Sequence, residues 1–315
     1  MSAPEILATA SAQCAAAACL LRPARFGYNA ETAATNHLQQ AARRRDSGDD
    51  ALRARQEFDA LVTRLQRAGV RVAVLEDDPE PSRPDAVFPN NWISFHGDGT
   101  VVLYPMQSPS RRRERRPEAM IERARSLGFT PRRVLDLTGE EARGRYLEGT
   151  GSLVLDHVAR VAYCALSPRS DADLAREWAR QLDYDLELFD AATPGGASIY
   201  HTNVLLWIGE RAAGIGADWI AAKDRERVRA RLAASGRTLV TLDDARLAAF
   251  AGNMLELRAA DGHHVLVLSA TAAAAFDQEQ RARLESLTDE LVIGAMPTIE
   301  LRGGGSVRCM LAEVP

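Results

Sequence analysis

The sequence predicts an α/β protein built from about five copies of a strand–strand–helix–strand unit packed around a common axis. Three observations carry this. Helical stretches with apolar residues at three- to four-residue spacing end at glycines, each is followed at once by a short β-rich run, and two β-rich runs split by a polar turn precede four of the helices. The unit recurs about every 50 residues, and a unit that short cannot bury its apolar face alone, so copies pack on one another. An ordinary α/β or α+β domain whose hairpins and helices alternate by chance is the competing reading, and the polar residues decide between them.

The first helix covers 51–68, with Phe58, Leu61, Val62 and Leu65 on one face and Gly69 as its stop, and VRVAVL at 70–75 follows it. A strand pair within 92–104 leads to a helix at 117–127 (Met120, Ala124, Leu127, then Gly128) and a strand at 132–137. The third unit has a pair within 152–166, a helix at 171–183 (Leu174, Trp178, Leu182) and a strand at 185–190. The fourth has a pair within 204–215, a helix at 222–234 (Val228, Leu232, then Gly236) and a strand at 238–243. In the last, NMLELRA turns at Asp261-Gly262 into HHVLVLSA, followed by a helix at 272–287 (Phe276, Leu284, Leu287) and LVIGAM at 291–296. A complete fifth copy requires strands from the C-terminal GGGSVRCMLAEV and the N-terminal CLLRPARF, joined in space across the chain ends and completed by the 51–68 helix.

Composition is globular, with 46% hydrophobic and 26% charged residues in 315, which excludes disorder. Thirty-nine basic against 43 acidic residues, net −4, give no global attraction to nucleic acid or an anionic membrane. The short run RRRERR at 111–116 contains Glu114 and does not change this. Cys14, Cys19, Cys164 and Cys309 are too scattered for a disulfide scaffold and lack metal-site spacing. The N-terminus has no basic leader region, and no window of 18 uncharged apolar residues occurs. These features predict a soluble cytoplasmic protein with a loose tail at 1–18 and, despite the two domains that length alone suggests, one domain at 19–315. A homodimer is compatible with the sequence.

Chemistry-bearing residues open the first strand of each unit. They are Asn90 and Asn91 in FPNNW, Glu148 in LEGTG, His201 and Asn203 in YHTNV, Asn253 in AGNML and Cys309 in GGGSVRC. From Asn91 through Glu148, His201 and Asn253 to Cys309 the separations are 57, 53, 52 and 56 residues. Units around one axis bring such equivalent positions together, so a thiol, an imidazole, a carboxylate and several amides converge, which suits covalent catalysis. Glycines at 149, 151 and 303–305 mark close backbone approach. Cys164 fits an apolar strand, Cys14 and Cys19 flank an alanine run, and His96, His157, His263 and His264 fall at hairpins where exposure is the default. Asp156 ends a strand rather than opening one. With no metal cluster, phosphate loop or nucleotide fingerprint in the sequence, no cofactor and no metal are expected.

PDAVFPNNW, LEGTGSL, HTNV and GGGSVRC, in this order, resemble the guanidino-group-modifying superfamily of arginine deiminases, dimethylarginine hydrolases and amidinotransferases. RPARFGYNAETAATN with FPNNW is similar to its bacterial branch of citrulline-utilisation hydrolases. The resemblance covers the chain from about Cys19 onward. It implies a five-bladed α/β propeller, the pentein fold, of ββαβ modules with pseudo-fivefold symmetry. It also implies Cys309 as nucleophile, His201 as general acid/base and Glu148 as the carboxylate that orients His201 and meets substrate nitrogens. PSRRR and LSPRS correspond to segments that supply arginines for a substrate α-carboxylate, here Arg111 and Arg169. Asp85, in PDAVF, fits either the substrate amino end or a neighbouring strand.

Two departures bear on the substrate. Members acting on cationic guanidinium groups carry a carboxylate where this chain has Asn91, and deiminases carry a second in place of Asn203. A carboxylate only accepts hydrogen bonds and suits a cation that only donates, whereas an amide does both and suits a neutral ureido group. The expected reaction is therefore hydrolysis of L-citrulline to L-ornithine, carbon dioxide and ammonia through an S-carbamoyl enzyme. Dimethylarginine or arginine hydrolysis giving citrulline, amidinotransfer, and a non-catalytic amino-acid-binding propeller are the alternatives.

Overall fold

Fifteen short strands form five separate three-stranded sheets in this computed structural model, which describes residues 12–41 and 50–315. β1 (Ala17–Arg22) and β2 (Arg71–Glu76) flank the Asp50–Arg67 helix. The second unit holds β3 (Ile93–Phe95), β4 (Thr100–Leu103) and β5 (Arg133–Asp136), and the third holds β6 (Val154–Asp156), β7 (Val161–Ala165) and β8 (Asp185–Phe189). The fourth holds β9 (Leu206–Ile208), β10 (Ala212–Ile215) and β11 (Thr238–Thr241), and the fifth β12 (Leu255–Arg258), β13 (His264–Ser269) and β14 (Glu290–Gly294). β15 (Ala312–Val314) lies antiparallel to β1, with Ala17 opposite Val314 and Cys19 opposite Ala312, so the two chain ends complete the first sheet as expected.

Every sheet has the same pattern, its first two strands antiparallel and its last two parallel. A hairpin makes the first pairing locally, except where the chain ends meet, and the parallel pairing needs a crossover, which the helix supplies. The helices present one apolar stripe each, such as Ala54, Phe58, Leu61 and Leu65, or Leu174, Ala175, Trp178 and Leu182. One expected helix divides. Residues 272–287 form Ala270–Ala274 and Gln278–Ser286, because Asp277 caps the second helix in a capping box with Gln280.

Apolar residues join each sheet to the next. Leu21, Ile93 and Val101 lie in one cluster, Val102, Leu155 and Trp178 in another, Tyr163, Trp207 and Leu266 in a third, and Leu20, Val267 and Met310 in a fourth, which links the fifth sheet to the first.

The loose tail expected over 1–18 is shorter at the least. Residues 1–11 lie outside the described residues, but buried Gln13 donates through Nε2 to the carbonyls of Leu155 (3.0 Å) and Ile208 (3.3 Å), wedged between the third and fourth sheets. Its Oε1 accepts from the His157 amide at 2.9 Å, and the Ala15 carbonyl accepts from the Arg258 amide at 2.9 Å. Among the described residues, no helix is long and apolar enough to cross a membrane.

Candidate active site

The polar residues singled out above sit on, or in the case of Glu148 and His201 immediately before, short helical turns just ahead of the first strand of each sheet. These turns are Pro89–Asn91, Gly149–Ser152, Thr202–Val204 and Val307–Met310, and Asn253 occupies the equivalent turn of the fifth sheet. The turns pack so tightly that only glycine fits at some positions. A Cβ on Gly151 would lie 2.5 Å from Asn91 Nδ2 and 2.7 Å from His201 Nδ1, well inside van der Waals contact.

The site surrounds a narrow cavity with Asp85, Asn91, Arg111, Arg169, His201 and Cys309 all on its wall. Glu148, Asn203 and Asn253 stand directly behind them, and all nine are buried. Glu148 Oε2 is 2.8 Å from His201 Nε2, 3.5 Å from Arg169 Nη1 and 3.9 Å from Arg111 Nη1, while Oε1 accepts from the Gln107 amide at 3.0 Å. Burial opposes charge on this carboxyl, but Arg169, the His201 hydrogen bond and Arg111 outweigh it and lower its pKa to about 2. Burial, opposed by Glu148 and reinforced by Arg169 and Arg111, lowers His201 to about 4. The imidazole is therefore neutral near pH 7. An ionised carboxylate only accepts, so the proton of the neutral ring sits on Nε2 and Nδ1 carries the lone pair.

Cys309 Sγ lies 3.3 Å from Asn253 Nδ2 and 3.6 Å from Asn203 Nδ2, two donors suited to a sulfur that carries charge. Asn253 is held in turn, giving a hydrogen bond to the Asn203 carbonyl (3.0 Å) and taking one from the Arg308 amide (3.1 Å). Asn90 is not on the wall; its Nδ2 donates to Thr150 Oγ1 at 3.3 Å.

Arg111, expected to receive a substrate carboxylate, is buried on the cavity wall, and its Nε and Nη2 close on the equally buried Glu114 at 3.0 and 2.9 Å. The fork expected to receive a substrate carboxylate is thus already filled. Arg111 Nη1 donates to Asn91 Oδ1 at 2.8 Å. A guanidinium has no acceptor, so this contact fixes the Asn91 amide, and its Nδ2 is left as a buried donor without a partner. Asn203 Oδ1 is a buried acceptor in the same condition. Arg169 donates to Thr35 Oγ1 (2.9 Å) and the Thr32 carbonyl (2.8 Å) and covers the Tyr200 ring at 5.1 Å. Buried Asp85 accepts from Asn29 (2.8 Å) and Thr32 (3.1 Å), and burial, against the pull of Arg111, raises its pKa.

Sequence reasoning missed a strap across the cavity. Thr32, Asn36 and Gln39 line it from one side and Tyr200 from another. Asn36 and Gln39 donate to the Gly303 carbonyl at 3.2 and 2.9 Å, and the Tyr200 hydroxyl donates to the Gly304 carbonyl at 2.5 Å. The NAETAATN segment was legible as a motif, but nothing in its spacing tied it to the GGG run.

The profile of the family described as N,N dimethylarginine dimethylhydrolase, eukaryotic, matches residues 22–315. Searched pairwise by sequence, the curated proteins give no match. Among solved structures, the substrate-bound N-terminal domain of ArgZ, an arginine dihydrolase from the ornithine–ammonia cycle in cyanobacteria, superposes with a TM-score of 0.72 at 16% identity, covering 94% of this chain and 97% of that one. Full-length ArgZ is longer, and this chain spans 40% of it, with a TM-score of 0.73 at 16% identity over 94% of this chain. A dimethylarginine dimethylaminohydrolase adduct superposes with a TM-score of 0.63 at 16% identity, over 95% of this chain and 99% of that one.

Proposed function

From the premise that the chain belongs to the N,N-dimethylarginine dimethylhydrolase family, within the guanidino-group-modifying pentein superfamily of C–N hydrolases, we propose that it is a ureidohydrolase that converts L-citrulline to L-ornithine, carbon dioxide and ammonia. The five sheets are then the blades of a pentein propeller, with the cavity at its axis. The observation that carries the substrate choice is the Asn91 amide. Arg111 occupies its oxygen at 2.8 Å and leaves Nδ2 as an unpartnered buried donor. A guanidinium offers only N–H groups and meets that donor unfavourably, whereas a ureido carbonyl accepts from it.

In this reading Nδ1 of His201 takes the thiol proton as Cys309 attacks the ureido carbon, with Asn253 and Asn203 holding the sulfur's charge. The protonated imidazole, steadied by Glu148, then gives its proton to the departing ornithine amine. Water, deprotonated by the same His201, cleaves the S-carbamoyl enzyme, and the resulting carbamate falls to carbon dioxide and ammonia. Asp85 suits the substrate ammonium and Arg169 its carboxylate. Arg111 serves by orienting Asn91.

The test is parallel turnover of citrulline, arginine and dimethylarginine, following ornithine and citrulline, with Asn91→Asp alongside the parent chain. Ornithine from citrulline, reduced about 100-fold or more in Asn91→Asp, is the expected result. Turnover of arginine or dimethylarginine alone by the parent chain would overturn the reading.

A further inference from the structure

Away from the cavity, Cys14, Glu256 and His264 bring a thiol, a carboxylate and an imidazole together, with one ligand atom from each within 4.8 Å of the other two. We propose that these three side chains form a site for a zinc-class divalent cation that ties the N-terminal segment to β12 and β13. The proposal stands apart from the citrulline reading and shares no residue with it.

Three observations support it. The first is spacing. Tetrahedral zinc with bonds of about 2.3 Å to sulfur and about 2.0 Å to nitrogen or oxygen sets its ligand atoms roughly 3.3–3.6 Å apart. Cys14 Sγ is 3.4 Å from Glu256 Oε2, and His264 Nδ1 is 3.9 Å from the same oxygen. The thiol–carboxylate edge already fits, and the two edges to His264 have to shorten, which the half-buried His264 ring, the most exposed of the three side chains, can supply by a small rotation.

The second observation is charge. Glu256 is a buried carboxylate that accepts from the Glu210 amide at 2.6 Å and from Cys14, and its one basic neighbour within 4 Å among the described residues is His264. Glu210 and Glu313 add negative charge beside the Cys14 thiol, and the guanidinium nearest to Glu313, that of Arg308, is already paired with it at 2.6 Å. A buried carboxylate without a full counter-charge is costly, and a divalent cation removes that cost.

The third is the orphaned atom. His264 Nδ1 is buried with no hydrogen-bond partner, although buried ring nitrogens are ordinarily satisfied. A cation between the three atoms gives it a ligand role. Thiolate, imidazole and carboxylate together favour zinc over magnesium or calcium. The ligands lie 242 and 250 residues from Cys14, so no local spacing motif announces them, and the expectation of a metal-free chain had no signal to set against it.

Cobalt(II) is the probe, titrated into tag-free Cys309→Ser protein so that the cavity thiol cannot contribute. The expected result is a single Co²⁺ per chain with thiolate-to-cobalt absorption in the near ultraviolet, displaced by Zn²⁺. Zn²⁺ should also raise the melting temperature. Adding Cys14→Ser abolishes the band, and adding His264→Gln weakens binding about 10–100-fold. Absence of the band in Cys309→Ser protein with Cys14 intact overturns the proposal, as does a band that survives Cys14→Ser. The first measurement leaves all three ligands in place, so it decides even if a ligand variant fails to fold.

Discussion

Burial holds His201 neutral, whereas Arg169, His201 and Arg111 hold Glu148 ionised against its burial, and both shifts have a consequence for stability as well as chemistry. His201 falls from 6.5 unfolded to about 4 folded, and Glu148 from 4.5 to about 2. In both cases the unfolded chain binds more protons over the interval, so stability rises with pH there and is lost as pH falls. For His201 the window runs from about 6.5 down to 4, and for Glu148 from about 4.5 down to 2. Because each group contributes to the other's shift, the pair together contributes on the order of a few kcal/mol. The His201 contribution is read as the difference between the parent chain and His201→Gln in denaturant titrations at pH 7, 5 and 4, because the buried Glu114, pushed up to about 8, contributes with the opposite sign in both proteins. His201→Gln removes the upper window, so its stability should change by less between pH 6.5 and 5. Parallel curves for both proteins would show that His201 is not held neutral by burial.

At the level of the elements, the site depends on short turns rather than on the strands they precede. The turn at Gly149–Ser152 is wedged between the Pro89–Asn91 and Thr202–Val204 turns, and Gly149 adopts φ +49° there. Gly151→Ala puts a methyl against Asn91 Nδ2 and His201 Nδ1 together. The cavity has to open or both side chains have to rotate. A cost of about 1–3 kcal/mol in stability is expected, with a loss of kcat that exceeds the change in KM because reacting groups are displaced. Unfolding midpoints and citrulline kinetics measured together check this, and an unchanged kcat would remove Gly151 from the packing argument. Asn91, His201 and Cys309 were found because they repeat with the unit. Glu114 was not, because burial turns a charge run into an ion pair only once Arg111 is in place, and Tyr200 was passed over beside His201 because an aromatic before a strand is ordinarily core.

On the scale of the molecule, the order of strands and helices was readable because period-2 and period-3.6 patterns are local, and the meeting of the chain ends followed from counting incomplete units. Gln13 and Cys14 were not readable as packed residues, since their partners Leu155, Ile208 and Glu256 lie far along the chain. The joining of the ends also makes the first sheet the one unit whose stability depends on both termini. β15 is short, but Leu311, Ala312 and Val314 are almost fully buried, and Arg308 uses both the Leu311 carbonyl (3.1 Å) and Glu313 (2.6 Å). Deleting 311–315 exposes the antiparallel edge of β1 and removes two large apolar side chains worth about 1.5–3 kcal/mol each. Against a typical total of about 5–15 kcal/mol, that loss is enough to lower the whole transition rather than fray one edge. Arg308 also loses the contacts that keep its amide on Asn253 Oδ1, so the Cys309 turn loosens with it. Calorimetry of the truncated chain should show one transition at a melting temperature lower by ten degrees or so, together with faster alkylation of Cys309. If β15 merely decorated the sheet, the melting temperature and the alkylation rate would both stay at the parent values.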